Sequence, residues 1–269
     1  MQPLRSRQRA RGLPDLLAVL SAPLVLFLAL PLLALVLRAQ PVRLWASLGQ
    51  GQVIQAAGLS LVTTLVTALV AVVFGTPVAY LLARRRFRLR RLIDTLVDLP
   101  IVLPPAVAGV ALLMAFGRRG ILGGVLDDLG IGVAFTPFAV VLAQTFVAAP
   151  FYVKAATVGF SGIEPELEQA AALDGAGPWQ MFSHVTLPLA RVALLAGIVM
   201  TWARALGEFG ATILFAGNFP GRTQTMPLAI YIGFELDLDV ALALAVILLT
   251  CSFLALWVIK GVLHRDPLS

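Results

Sequence analysis

The side chains best suited to chemistry within the apolar stretches of this sequence are Arg204 and Glu208. They are four residues apart, and on a helix this spacing places them on one face, where they can form an ion pair. A carboxylate at the end of an apolar helix is energetically expensive, which makes it a functional-site hypothesis. Two interpretations stay open: the pair only stabilises the end of a helix, or it belongs to a functional site.

The other reactive residue types do not form a catalytic or cofactor-binding pattern. His184, His264 and Cys251 lack the spacing of metal ligands, and no Ser-His-Asp set stands out. A phosphate-binding loop ends in Lys-Ser or Lys-Thr, but neither Lys154 nor Lys260 is followed by either residue. The sequence therefore predicts no catalytic residue, no metal site and no cofactor in this chain, and no ATP hydrolysis by the chain alone.

The segment 161–188, SGIEPELEQAAALDGAGPWQMFSHVTLP, has an explicit local pattern. Pro165 suits the first turn of a helix, and the glutamates around it place negative charge at the positive end of the helix dipole. Gly175 and Gly177 predict the end of this helix, because glycine adopts the left-handed conformation most easily. Since Pro178 suits the start of another helix, the segment is predicted as a helix, a glycine turn and a second helix.

The composition indicates which elements position these residues. The chain of 269 residues is 59% hydrophobic and 13% charged, too apolar to cover the surface of a water-soluble domain of that size. Apolar runs of about 20 residues, long enough to cross a bilayer, predict an all-α polytopic membrane protein with six spans. The spans are predicted at 16–37, 57–83, 97–116, 134–153, 187–206 and 239–259, the fifth beginning with Leu187-Pro188.

Two of these spans need comment. The first follows a basic head, as in a signal peptide, but it is too long and lacks a cleavage site, so a retained helix is expected. The third contains Asp98, Pro100, Pro104 and Pro105, and prolines remove backbone donors and kink a helix. A structural kink and a break that lines a pathway both stay open. The loops are expected to be short, the longest being the outer ones after the third and fifth spans.

Basic residues predict the orientation of the spans. With the amino terminus in the cytoplasm, the inside segments hold 13 Lys and Arg residues and the outside loops hold 5, leaving out Arg191 and Arg204 as span residues. Both termini are therefore predicted in the cytoplasm. The same rule explains the basic run 84–91, whose one aromatic residue gives no stacking platform for bases, so no nucleic acid is predicted as a partner. The inside set is Arg5, Arg7, Arg9, Arg11, the six arginines of 84–91, Lys154, Lys260 and Arg265.

The segment 161–188 resembles the EAA loop of ABC importer permeases, whose pattern is Glu-Ala-Ala, three residues, Gly, nine residues and Ile-x-Leu-Pro. In this chain QAA at 169–171 precedes Gly175 by that spacing, and nine further residues lead to VTLP at 185–188. Two positions depart mildly from the pattern. A Gln stands in place of the first Glu, with Glu168 directly before it, and a Val stands in place of the Ile.

In such permeases this loop forms a coupling helix that docks in a cleft of the partner ATPase. The resemblance therefore implies a type I ABC importer permease in the bacterial inner membrane, working as a homodimer. It also implies two ATP-binding cassette ATPase subunits, which hold ATP and Mg, and a periplasmic or lipid-anchored binding protein. The residues implied in coupling to the ATPase are Glu168, Gln169, Ala170, Ala171, Asp174, Gly175, Leu187 and Pro188.

The resemblance covers residues 53–260. On this basis the chain divides into a cytoplasmic tail at 1–15, a first helix at 16–37, a transmembrane domain at 53–260 with five helices and the coupling loop, and a cytoplasmic tail at 261–269.

Other stretches resemble permeases for tetrahedral oxyanions. The segment 99–123 is similar to the third-span region of molybdate permeases, notably its GRRG turn, and 203–231 is similar to both molybdate and sulfate permeases. GEFGAT at 207–212 fits the molybdate version better, while GIGVAFTP at 130–137 is shared with sulfate permeases. The resemblance implies molybdate import, with sulfate, thiosulfate or tungstate as the alternative.

The resemblance also suggests where the anion passes. Neutral side chains after the fifth span, Thr212, Asn218, Thr223 and Thr225, would offer weak donors, while tight selection would belong to the binding protein. The predicted pathway residues are Pro104, Pro105, Arg204, Glu208, Thr212 and Asn218. An ion-gradient-driven secondary transporter is the alternative from another class, although it would carry an inverted repeat and mid-membrane charges that the sequence does not display.

Overall fold

The computed structural model describes residues 12–263, and the side chains of residues 19–261. Most of the predicted tails, with Arg5, Arg7, Arg9, Arg11, His264 and Arg265, therefore lie outside the described residues. The helices in chain order are α1 Gly12–Arg38, α2 Pro41–Leu48, α3 Gly51–Arg84, α4 Arg90–Val102, α5 Pro105–Phe116, α6 Gly123–Asp128, α7 Pro137–Ser161, α8 Pro165–Leu173, α9 Pro178–Met181, a π-helical turn Phe182–Thr186, α10 Leu187–Leu206, α11 Gly210–Phe215, α12 Met226–Leu236 and α13 Leu238–Leu263.

Five helical segments are long and apolar enough to cross a membrane, and the bent pair α4 and α5 supplies a sixth. The five are Val19–Arg38, Gly51–Arg84, Pro137–Ser161, Pro178–Leu206 and Leu238–Gly261. The prediction of an all-α membrane protein is confirmed, with five spans, or the predicted six if the bent pair counts as one span.

The centre of the bundle consists of α3, α7 and α10. Small residues allow these helices to approach closely. A Cβ atom on Gly159 of α7 would lie 2.5 Å from the Cβ of Ala193 of α10, and one on Gly75 of α3 would lie 3.0 Å from the Tyr152 ring of α7. Such contacts are typical of helix packing in membranes, where small side chains bring backbones together. α13 packs against α10 and α12, and α1 lies at the edge with its apolar side chains exposed.

The third predicted span, 97–116, differs from the structure. It is divided between α4 and α5, whose axes are bent by 119° at the break. Leu103 and Pro104 have extended backbone there, with ψ angles of 135° and 134°, because a residue that precedes a proline avoids the helical conformation. Two consecutive prolines thus break this segment completely, and of the two alternatives left open by the sequence the structure shows a break and not a simple kink.

The segment after α10, which was predicted as an outer loop, also differs from that prediction. It forms α11 and α12, joined by a turn that ends in the buried side chains of Thr223, Gln224 and Thr225. α11 packs tightly against α5, since a Cβ on Gly109 would lie 2.9 Å from the carbonyl oxygen of Ala211. At its start, α12 is fixed to α3 because the Met226 N–H donates to the Ser60 Oγ at 2.8 Å. This segment is therefore part of the protein core. Short helices α2 and α6 likewise lie where loops were expected.

The fifth predicted span begins earlier than expected. α9, the π-helical turn and α10 form one continuous helix, Pro178–Leu206. Pro188 lacks an N–H, and its ring collides with the carbonyl four residues earlier in a regular α-helix. The wider π-helical turn directly before it relieves this conflict, with the Leu187 N–H bonded to the Phe182 carbonyl. Pro188 thus deforms this helix locally, and the second helix of the 161–188 segment continues directly into the span.

Candidate functional site

The 161–188 segment forms a helix, a glycine turn and a helix, as predicted. α8 ends in a Schellman motif, in which the Ala176 N–H bonds to the Ala171 carbonyl at 3.0 Å and the Gly175 N–H bonds to the Ala172 carbonyl at 3.1 Å. Gly175 has a φ angle of +89°, a conformation that only glycine adopts without strain. Gly177 does not share this role, because its φ is −69° and its N–H bonds to the Gln180 Oε1 at the start of α9.

The outer surface of the α8–α9 segment, residues 165–181, is open to solvent and partly apolar. Leu173 is 89% exposed and Trp179 is 75% exposed. Four of the predicted coupling residues, Gln169, Ala170, Asp174 and Gly175, are also exposed. Large apolar side chains held on the outside of a fixed turn are typical of a docking surface for another protein.

Aromatic rings pack between the α8–α9 segment and the helices α3 and α7. The Phe182 ring lies edge-on to Tyr80 of α3, with ring centroids 5.4 Å apart, and Tyr80 contacts Phe160 of α7 at 5.6 Å. Trp179 leans against Phe182 at 5.9 Å. Rings in such geometries contribute about 0.5–1.5 kcal/mol per pair beyond the area they bury. The cluster therefore ties the base of the segment to two spans.

Glu168 differs from its exposed neighbours in the predicted coupling set. Its Oε1 accepts hydrogen bonds from the Arg84 Nη2 at 3.0 Å and from the Thr186 Oγ1 at 2.9 Å. The Arg84 Nη1 also donates to the Ile163 carbonyl at 3.2 Å. The carboxylate thus faces the bundle. Of the remaining coupling residues, Ala171 of α8 is partly exposed, while Leu187 and Pro188 at the start of α10 are exposed.

A second polar cluster lies at the other end of α10. The Arg204 Nη1 lies 2.8 Å from the Glu208 Oε2, which forms the ion pair predicted from their spacing. The other oxygen, Glu208 Oε1, accepts the Ala211 N–H at 2.9 Å and so caps the start of α11. The Glu208 side chain is only 1% exposed, whereas that of Arg204 is 31% exposed. The pair therefore stabilises the junction of α10 and α11, and a role in a pathway stays a prediction.

The other predicted pathway residues are only partly brought together. Pro105 packs against Gly210, where an added Cβ would lie 2.7 Å from the Pro105 Cβ, and this places the α4–α5 break beside the Glu208 junction. Thr212 is fully buried, and its hydroxyl has no hydrogen-bond partner. Asn218 lies farther along, where its Nδ2 donates to the Leu228 carbonyl at 3.4 Å.

One ionic cluster was not predicted from the sequence. The Lys154 Nζ lies 2.6 Å from the Asp94 Oδ1 and 2.8 Å from the Asp98 Oδ2. It joins α7 to α4, and all three side chains are partly exposed. Lys154 was predicted just beyond the fourth span, but α7 continues to Ser161, so the lysine lies within the helix. The sequence did show charged residues near apolar spans in both segments, which is a signal for a functional or paired site. It did not show that these residues pair with one another, because the pairing depends on how α4 packs against α7.

These features define a polytopic helical membrane protein in which a helix–turn–helix segment holds large apolar side chains exposed to solvent. Residues 71–265 match the family described as the inner membrane component of binding-protein-dependent transport systems, and the chain belongs to this family. The predicted resemblance to importer permeases is thereby confirmed. Membership makes the chain a multi-pass inner membrane component of a transport system.

Individual relatives agree with this family. The molybdenum transport system permease protein ModB of Mycobacterium tuberculosis is 42% identical over 245 residues, covering 91% of this chain and 92% of the relative. The sulfate transport system permease protein CysT of Escherichia coli is 37% identical over 244 residues, covering 89% and 88%. Among solved structures, a bacterial alginate ABC transporter in complex with a periplasmic protein has a chain of the same fold, with a TM-score of 0.70, 17% identity and coverage of 94% and 93%.

Proposed function

We propose that this chain is the membrane-spanning permease subunit of an ATP-driven importer for molybdate. The observation that carries the proposal is the 42% identity to a molybdenum transport permease over 91% of the chain. The exposed α8–α9 segment supports the mechanism, because it offers a rigid docking surface that continues directly into a span.

The permease is proposed to work as a homodimer with two ATP-binding cassette ATPase subunits and a periplasmic or lipid-anchored binding protein. ATP and Mg bind the ATPase, and this chain supplies no cofactor site. Proteins of the same fold support these kinds of partner, since one belongs to an alginate ABC transporter in complex with an alginate pentasaccharide-bound periplasmic protein and another to the MetNI methionine ABC transporter.

The orientation belongs to the same proposal. Both termini and the α8–α9 segment face the cytoplasm, in agreement with the excess of basic residues on that side. Nucleotide binding closes the ATPase pair, which moves the two docked segments and turns the spans outward to receive the anion. Hydrolysis then restores the inward-facing state. The coupling residues lie on the docked segment, and the junction of α5, α10 and α11 lies toward the outer side.

Sulfate is the second candidate substrate, and the 37% identity to a sulfate permease over 89% of the chain supports it. Molybdate and sulfate are both tetrahedral dianions, so weak neutral donors along a pathway discriminate poorly between them. The binding protein is therefore the proposed site of tight selection.

The test is uptake of labelled molybdate into proteoliposomes that contain this chain, its ATPase and its binding protein, with excess sulfate as competitor. We expect uptake that requires ATP, resists sulfate, and is lost in the Gly175→Asp variant. Gly177→Asp is the matched control, because residue 177 has an ordinary φ and Asp suits the start of a helix.

Other outcomes would change the proposal in defined ways. Preferential sulfate uptake would replace the substrate and keep the mechanism. Uptake that persists without the ATPase would overturn the mechanism in favour of an ion-gradient-driven transporter.

A further inference from the structure

We propose that Glu168 is a positioning residue that, with Arg84 and Thr186, fixes the α8–α9 segment to the membrane helices α3 and α10. This inference rests on the proposed function, because it concerns how motion of the docked segment reaches the spans. It assigns Glu168 a role inside the permease, where the sequence pattern implied a contact with the ATPase.

The geometry of one carboxylate oxygen carries the inference. Glu168 Oε1 is shared by the Arg84 guanidinium at the end of α3 and by the Thr186 hydroxyl next to α10. Arg84 also holds the Ile163 carbonyl, just before α8 begins. Arg84 of α3 thus bonds both to α8 and to the residues just before it, and Glu168 of α8 bonds both to α3 and to the π-helical turn that continues into α10.

The environment makes these bonds strong. The Arg84 and Glu168 side chains are 14% and 21% exposed, and Thr186 is fully buried. Hydrogen bonds between ionised groups are about twice as strong as neutral ones, and partial removal from water reduces screening. The planar guanidinium also resists rotation when two of its nitrogens are engaged.

α8 depends on these bonds more than an ordinary helix would. It has nine residues and buries none of them. A helix this short is unstable in isolation, and its exposed face is needed for docking. The bonds of Glu168 are therefore its main polar tie to the bundle, whereas α9 is continuous with α10 and packs through Phe182.

The consequence for transport is mechanical. A docked helix with loose attachment would move with the ATPase without displacing the spans. With Glu168 in place, displacement of α8 acts on α3 and α10 together, and these two helices form the centre of the bundle with α7. Loss of the bonds should therefore separate ATP hydrolysis from transport while docking itself persists.

The experiment uses the complete complex with Glu168→Ala, Arg84→Ala, the double variant, and Thr186→Val, which keeps the side-chain shape. Glu166→Ala is the control, because Glu166 lies on the same helix, is exposed, and has no ion pair among the described residues. Three quantities are measured: copurification of the ATPase, stimulation of ATP hydrolysis by the binding protein, and molybdate uptake per ATP hydrolysed.

We expect unchanged copurification and a fall of about tenfold in uptake per ATP for Glu168→Ala and Arg84→Ala, as loss of a charge-assisted bond predicts. The double variant should be no worse than either single variant, since all three remove the same link. Thr186→Val should give a smaller fall in the same direction.

Two outcomes would overturn the inference. If Glu168→Ala releases the ATPase while Arg84→Ala and Thr186→Val retain it, Glu168 contacts the ATPase. If uptake per ATP in all variants equals that of the unmodified complex, the bonds do not position the segment. Failure of the proposed function is distinguishable, because the unmodified complex would then show no ATP-dependent anion uptake.

Discussion

Glu168 and Glu208 lie beyond opposite ends of α10, a helix about 30 Å long, and each carboxylate is held by an arginine. Arg204 and Glu208 are four residues apart and join the end of α10 to the next short helix. Arg84 and Glu168 are 84 residues apart and join separate parts of the fold. Similar chemistry therefore serves two purposes: the local pair stabilises a junction, and the long-range pair couples elements that must move together.

The two ion pairs also differ in how deeply their carboxylates are buried. Glu208 is enclosed almost completely, so its charge depends on Arg204 and the Ala211 N–H. Glu168 keeps some access to water and has the Thr186 hydroxyl as a second side-chain donor. The comparison predicts that Glu208 matters most for stability and Glu168 most for coupling.

The largest expected effect on stability comes from Arg204→Met. Removing one partner of a buried ion pair costs about 3–5 kcal/mol, and we expect the lower end because Arg204 is 31% exposed. Thermal unfolding of the purified protein in detergent measures the change. Arg191→Met, at an exposed position of the same helix, is the control. Equal unfolding temperatures for the two variants would contradict the assignment of Glu208 as a buried, dependent charge.

Arg84→Met should be less destabilising, by about 1–2 kcal/mol, because Glu168 keeps Thr186 and some solvent. Its effect on uptake per ATP should nevertheless exceed that of Arg204→Met measured below the unfolding temperature of both variants. Arg85→Met is the neighbouring control, since Arg85 is exposed. A larger stability loss for Arg84→Met than for Arg204→Met would reverse the comparison.

Lys154→Met tests a third ionic contact, between α7 and α4, which resembles the Arg84–Glu168 pair in joining separate helices but is more exposed to solvent. Its partners Asp94 and Asp98 are partly exposed. We expect a destabilisation of about 1 kcal/mol or less, diminished further at high salt because exposed charges are screened. Unfolding temperatures at low and high salt provide the measurement, and a salt-independent loss would show that the cluster behaves as a buried pair.

The smallest effect is expected for Thr212→Val. The Thr212 hydroxyl is buried without a hydrogen-bond partner, so replacing it by a methyl group of the same shape removes an unsatisfied polar atom. We expect a change in stability within about 0.5 kcal/mol. We also expect unchanged molybdate uptake, which would remove Thr212 from the predicted pathway residues, because its side chain is fully buried. A marked loss of uptake with normal stability would place this hydroxyl in the anion pathway.

Features that form between residues close in the sequence were predicted, whereas features that depend on residues far apart were not. The Arg204–Glu208 pair and the glycine turn at Gly175 depend on residues within one helical turn, and both were predicted. The prolines around Pro104 predicted a kink or a break in this span, but not the size of the bend. The size depends on what packs around the prolines, which the local sequence does not specify. The burial of α11 and α12 was missed for the same reason.

Local sequence patterns were enough to predict an all-α membrane protein, the positions of its apolar spans and the local form of the segment that carries the family pattern. These follow from hydropathy, proline and glycine stereochemistry, and charge at short spacing. The packing of the helices, in contrast, places Glu168 against Arg84 and Thr186 and brings Lys154 into contact with α4. The physical reason is that a charged side chain selects its partner by proximity after the helices have packed, and no short spacing in the sequence encodes that proximity.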